Sequence, residues 1–183
     1  SLVMEELSRG YASVADQCGL VELIGTLLSV HGTKTQREMY LSDVLAARKR
    51  VSYCITEAEA GTDVSGVKTT ARRDGPDWRL SGSKIWIHNA PIADYGYVLA
   101  RTDPDAKKHH GISLFLIRMD DPGLTIHPMY TMGAERTNAV FFDNVFVHDD
   151  YRVGDLNKGF QYIAEALDIE RFSMFTFSPI RGR

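Results

Sequence analysis

The stretch "YCITEAEAGTD", Tyr53 to Asp63, begins as a strand and ends as a loop of small residues suited to an anion. Tyr53 and Ile55 favour extended backbone. Thr56 adds one directional hydroxyl. Ala60, Gly61 and Thr62 leave main-chain N–H groups open to close approach by a phosphate. An ordinary strand ending in a turn stands beside that reading. Glu57 and Glu59 read as structural or solvated carboxylates. In "GSKIWIHNA", Trp86 is a large flat apolar surface on a strand, which by itself reads as core, as does Trp78. In "LDIER", Glu170 falls in a stripe of Ile163, Leu167, Met174 and Phe177, at steps of four and three residues. An acid in such a stripe is either paired, with Arg171 or a lysine, or functional. Burial would raise its pKa toward the range of a general base.

Other chemistry is thin. Cys18 and Cys54 stand far apart and match no metal or redox spacing, which fits a reducing compartment. His31, His109, His110, His127 and His148 have no ligand spacing with Cys, Asp or Glu, so no metal is expected. His109 and His110 follow Lys107 and Lys108 in a polar stretch that reads as a solvated loop, or else as a contact for phosphates. The net charge of −3, without a long basic run, argues against nucleic acid as a partner. No apolar run is long enough to span a bilayer, and no signal peptide opens the chain.

Three zones must position these residues. Residues 1–50 carry helical periods: Leu2, Val3, Leu7, Tyr11 and Val14 fall on one face, and "GLVELIGTLLSVHG" gives a second helix ending at Gly32. A short polar helix around Met39, Tyr40 and Leu41 follows. From Val51 the period becomes two, with about seven short strands divided by Gly, Pro, Asn and Asp turns. That spacing predicts a closed or sandwiched antiparallel unit. From Val153 a helical period returns, with Phe160, Ile163, Ala164 and Leu167 on one stripe. With 183 residues, the chain is long enough for a sizeable core. It starts in mid-helix character and reads as a piece of a longer protein.

With these zones in place, the chain resembles the central part of an acyl-CoA dehydrogenase. "YCITEAEAGTD", "LSGSKIWIHNA", "YVLARTD", "FFDNVFV" and "VGDLNKGF…LDIER" stand in that family's order and spacing, over roughly Ser52 to Arg171. The resemblance implies an α+β fold: an antiparallel β-barrel or sandwich flanked by helices. Residues 1–50 would end an N-terminal helical domain, 51–150 form the middle β-domain, and 151–183 begin a C-terminal bundle. It also implies FAD as cofactor. Tyr53, Ile55, Thr56, Trp86, Ile87 and His88 would contact the flavin, and Gly61 and Thr62 the pyrophosphate. Thr62, Asp168 and Arg171 match substrate-binding positions. Glu170 matches the catalytic base of a subgroup resembling isovaleryl- and long-chain acyl-CoA dehydrogenases; in most of the family the base lies further toward the C-terminus.

The implied reaction is α,β-dehydrogenation of an acyl-CoA to a trans-2-enoyl-CoA, as in the β-oxidation of fatty acids. Electron-transferring flavoprotein would be the acceptor. A tetramer or dimer is expected of the whole protein, in the cytoplasm if bacterial or the mitochondrial matrix if eukaryotic. The piece alone is expected to be inactive. His88 departs from the family's usual Thr or Ser. That keeps an acyl-CoA oxidase or flavin monooxygenase as an alternative on the same fold. A non-catalytic β-barrel binding module is the alternative from another class.

Overall fold

The computed structural model describes residues 2–132 and 136–174. Two helices open the chain, α1 (Leu2–Gly10) and α2 (Ala12–His31). They are two separate helices where one helical face is expected from Leu2 to Val14. The helix breaks at Tyr11, whose φ of −159° is extended, and whose side chain is 67% exposed. Gly32 does end α2, but through a close approach rather than a left-handed backbone. Its N–H meets the Leu28 carbonyl at 3.0 Å, and a Cβ there would lie 2.4 Å from that oxygen. The polar helix that follows is broken into α3 (Lys34–Gln36), a π-helical turn over Arg37–Leu41, and α4 (Ser42–Leu45).

Eight strands form one sheet: β1 (Val51–Cys54), β2 (Thr70–Asp74), β3 (Asp77–Lys84), β4 (Tyr95–Arg101), β5 (Ile112–Arg118), β6 (Leu124–Tyr130), β7 (Arg136–Val147) and β8 (Arg152–Val153). The order is β6-β7-β3-β2-β4-β5-β8, with β1 pairing beside β4. No pairing among the described residues joins β6 to β8, so the sheet is open rather than a closed barrel. Nor is it wholly antiparallel: β1 runs parallel to β4, and β2 meets β4 in parallel at Thr70 and Arg101.

Alternation along β4 and β5 gives this sheet two apolar faces. Tyr97, Leu99, Ile112, Leu114 and Leu116 pack with the helices, against Ile24, Leu28 and Ile163. Val98, Ala100, Phe115 and Ile117 turn the other way and meet Trp78, Leu80, Val140 and Val145. Trp78 on β3 touches Phe115 on β5 edge-on, with ring centroids 5.5 Å apart. Two strands lie between them in the sheet order, so the sheet must fold over upon itself.

The last helix, α5 (Gly159–Met174), packs Tyr162, Ile163 and Ala166 into the first of these cores. His31 at the end of α2 stacks on Tyr162, with centroids 3.9 Å apart, and its Nε2 lies 2.7 Å from Glu165 Oε2. Gln36, 2% exposed, donates to the Asp150 and Arg152 carbonyls at 2.6 and 2.9 Å. Helices from both ends of the chain are thus tied to the same side of the sheet.

Candidate functional site

Two chain segments leave the sheet side by side. The first follows β1. Tyr53 pairs with Tyr97 across the parallel β1–β4 register, and their rings lie parallel at 6.4 Å. Beyond Cys54, the Ile55 carbonyl accepts from Lys84 Nζ at 3.0 Å, and the Thr56 carbonyl accepts from the Ile85 N–H at 3.0 Å. Glu57 and Ala60 then exchange both main-chain hydrogen bonds and close a tight turn. Gly61 and Thr62 follow, both exposed. A Cβ on Gly61 would meet only Thr56 Cγ2, at 4.0 Å. The loop therefore offers open space on its outer side.

The second segment follows β3, which ends at Lys84, so Trp86 does not lie on the strand expected for it. Trp86 has a φ of +63°, a conformation rare for a bulky residue. Its indole is 56% exposed, so it is not the core tryptophan that the residue type alone suggests; Trp78, at 2%, is. Ile87 is buried beneath. Its N–H donates to the Asn138 carbonyl at 2.9 Å, and its carbonyl accepts from Asn138 Nδ2 at 2.8 Å. His88 is exposed, and its carbonyl accepts from Ser52 Oγ at 2.9 Å.

Beneath both segments lies an ion pair. Lys84 Nζ is 2.7 Å from Glu57 Oε1. The Glu57 carboxylate also accepts from the Lys68 and Thr69 N–H groups, at 2.7 and 3.0 Å. Burial pushes the Glu57 carboxyl upward, but the Lys84 charge and these hydrogen bonds outweigh it and hold it below its ordinary value. Burial pulls the Lys84 ammonium down, with Glu57 opposing. Burial also pushes the neighbouring Cys54 thiol up to about 12, leaving it a poor nucleophile. Beyond the turn, Asp63 binds Ser65 and lies 2.7 Å from Lys108 Nζ. The hydrogen bond from Lys108, helped by Ser65, lowers the Asp63 carboxyl to about 2. Arg101 donates to the Ser65 carbonyl at 2.7 Å and to the His110 carbonyl at 3.2 Å. The loop carrying Lys107 to His110 is thus latched to the loop carrying Gly61 and Thr62.

The structure sets residues 53–56 and 85–88 side by side, through the Thr56–Ile85 and Ser52–His88 hydrogen bonds, but turns Tyr53 and Ile55 toward the helix-side core and Ile87 into the opposite one, with Gly61 and Thr62 beyond the turn. Asp168 is exposed on α5, joined to these segments by no hydrogen bond among the described residues. Glu170 and Arg171 fall on α5, but their side chains lie outside the described residues. Sequence reasoning missed Ser52, Lys84 and Asn138. Lys84 left a trace: a charged residue directly before the apolar run "IWI". A cavity of about 290 Å³ opens beside these segments, one residue past His88, lined by Val21, Ile24, Val51, Asn89 and Ile92 among others. Among the described residues, no three or more His, Cys, Asp or Glu side chains gather as metal ligands.

Residues 52–145 match the family model described as the acyl-CoA dehydrogenase middle domain. The chain is 38% identical to the acyl-CoA dehydrogenase FadE29 of Mycobacterium tuberculosis over 152 residues, 82% of this chain and 39% of that protein. It is 36% identical to the mitochondrial long-chain specific acyl-CoA dehydrogenase of Rattus norvegicus over 155 residues, 82% of this chain and 36% of that one. The solved butyryl-CoA dehydrogenase of Megasphaera elsdenii superposes with a TM-score of 0.89 at 32% identity, covering 96% of this chain and 47% of that one. The chain belongs to the acyl-CoA dehydrogenase family, whose members are FAD-dependent. It spans less than half the length of these relatives.

Proposed function

We propose that this chain is the flavin-facing part of an acyl-CoA dehydrogenase. The observation that carries the reading is Trp86, held in a left-handed conformation with an exposed indole beside the Thr56 segment. A large apolar ring kept out of the core, next to an open small-residue loop, fits a flat aromatic cofactor with a phosphate tail. Trp86 gives the isoalloxazine a stacking surface. The Thr56 hydroxyl and the His88 side chain would supply hydrogen bonds around it and Tyr53 and Ile55 main-chain contacts, while Ile87, whose N–H and carbonyl are both held by Asn138, would contribute contact only. Gly61 and Thr62 take the pyrophosphate. FAD, when bound, supplies the two-electron acceptor for the substrate's β-hydride.

The other steps belong to the chain. Glu170 takes the α-proton of the acyl thioester, and the product is a trans-2-enoyl-CoA. Thr62, Asp168 and Arg171 hold the acyl-CoA. Electron-transferring flavoprotein takes the electrons onward, and the whole protein assembles as a tetramer or dimer. No helix among the described residues is long and apolar enough to cross a membrane. The cytoplasm of a bacterium or the mitochondrial matrix of a eukaryote suits this chemistry.

His88, in place of a hydroxyl residue, favours a second reading, an oxidase or flavin monooxygenase on the same fold. The test is a titration of the whole protein with acyl-CoA. Bleaching of its visible flavin absorbance supports dehydrogenation. Rapid oxygen consumption by the reduced protein would move the assignment to an oxidase. A colourless protein would leave a non-catalytic module.

A further inference from the structure

We infer that Asn138 on β7 is a positioning residue that holds the Trp86 backbone in its left-handed conformation. The inference rests on the reading of Trp86 as the flavin-facing residue, and deepens it. The register carries the argument. Gly82, Ser83 and Lys84 pair with Phe142, Phe141 and Val140. Continued without interruption, that register would set Trp86 opposite Asn138. Instead the N–H of Ile87 reaches the Asn138 carbonyl. One extra residue has therefore entered the β3 side, and Trp86, at φ +63°, is where the chain absorbs it. An inserted residue of this kind re-aims a side chain and costs a ladder partner.

The lost partner is replaced by a side chain. The Ile87 carbonyl takes its hydrogen bond from the Asn138 amide, at 2.8 Å. Asn138 is 1% exposed, so an unpaired carbonyl here would be buried without water. Arg136 Nε lies 3.3 Å from Asn138 Oδ1, which turns the amide's donor end toward Ile87. Nothing comparable acts on the indole itself, which has no ring-stacking or cation–π partner among the described residues. Its direction is set through the backbone: Ile85 on Thr56, Ile87 twice on Asn138, and His88 on Ser52. Only two of these anchors are side-chain donors. Ser52 acts two residues away from Trp86, and Asn138 at the adjacent residue.

The test is fluorine NMR of the whole protein labelled with fluorotryptophan, without and with FAD. The Trp86 resonance is assigned by its loss in Trp86→Phe. Asn138→Leu should shift or broaden that resonance by more than its line width, in both states, and leave the Trp78 resonance in place. Thr137→Val, a buried neighbour on β7, should move neither. An unmoved Trp86 resonance in a folded Asn138→Leu protein overturns the inference. If Asn138→Leu does not fold, Trp86→Gly is added, because glycine holds a positive φ without strain. The double variant should then fold; failure overturns the inference. The visible flavin spectrum separates the two levels. If it ignores both Trp86→Ala and Asn138→Leu while the resonance moves, the flavin-facing reading fails and the positioning role of Asn138 stands.

Discussion

Lys84 Nζ and Glu57 Oε1 lie 2.7 Å apart with side chains only 0% and 9% exposed, directly beneath the two segments of the candidate site. Lys84 also holds the Ile55 carbonyl, and Glu57 also holds two N–H groups before β2. Glu57→Gln removes one charge and strands the other. Such a break should cost on the order of 3–5 kcal/mol. Replacing both partners, as Glu57→Gln with Lys84→Met, should cost less than the single change. The acid limb of stability follows from the same pair. The Glu57 carboxyl is depressed in the fold, so its contribution is complete above the ordinary glutamate pKa of about 4.3, and is lost as pH falls through the lowered value. Denaturant midpoints measured against pH should show this loss in the parent protein and a flatter acid limb in Glu57→Gln.

The two tryptophans should separate cleanly. Trp78 is 2% exposed, donates from Nε1 to Asp149 at 2.6 Å, and lies under the Arg73 guanidinium at 3.9 Å. Trp78→Ala should cost about 3–5 kcal/mol, seen as a lower denaturation midpoint. Trp86→Ala empties no core and should leave stability nearly unchanged while weakening FAD retention. Trp86→Gly should stabilise by on the order of 1 kcal/mol, through release of backbone strain. Equal losses of stability from the two alanine variants would refute the contrast.

The strand periods from Val51 to Val147 were legible because alternation and turn residues are local properties. Closure was not: whether a sheet seals or folds over depends on pairings between distant strands, and no residue in β6 or β8 announces that the strand will stand at an edge. Motif spacing pointed to the Thr56 and Trp86 segments, which lie side by side through the Ile85 N–H on the Thr56 carbonyl. What fixes them there was not legible. Asn138 is some fifty residues from Ile87 along the chain, and an asparagine in "TNAVFF" looks like any polar residue on a half-exposed strand. The same holds for Glu57, whose partner Lys84 becomes visible only once β3 is laid beside the turn after β1. Tyr11 was misread for the opposite reason: a local helical period continued through a point where the chain turns out to solvent.

Tyr97 offers a test of polar burial in the core beside the site. It is 0% exposed, and its hydroxyl has no hydrogen-bond partner among the described residues. Burial pushes that phenol well above its ordinary pKa. A buried donor without a partner costs about 1–3 kcal/mol. Tyr97→Phe keeps the ring beside Tyr53 and removes the hydroxyl, so stability should rise by about 1 kcal/mol. A loss of stability in thermal or denaturant unfolding would refute this.

Glu170→Gln in the whole protein gives the sharpest test of the proposed reaction. The amide keeps the shape of the side chain but has negligible basicity near neutral pH. If Glu170 is the base, the rate of flavin reduction by acyl-CoA should fall by a factor on the order of 10²–10⁴, with substrate affinity and melting temperature little changed. If Glu170 is instead half of a buried ion pair, the same change leaves a cation unpaired. Stability should then drop by on the order of 3–5 kcal/mol, while the protein that survives is reduced at a normal rate. Stopped-flow reduction and thermal unfolding of the one variant therefore give opposite results under the two readings. Normal reduction in a destabilised protein would remove Glu170 from the reaction and place the base on another carboxylate.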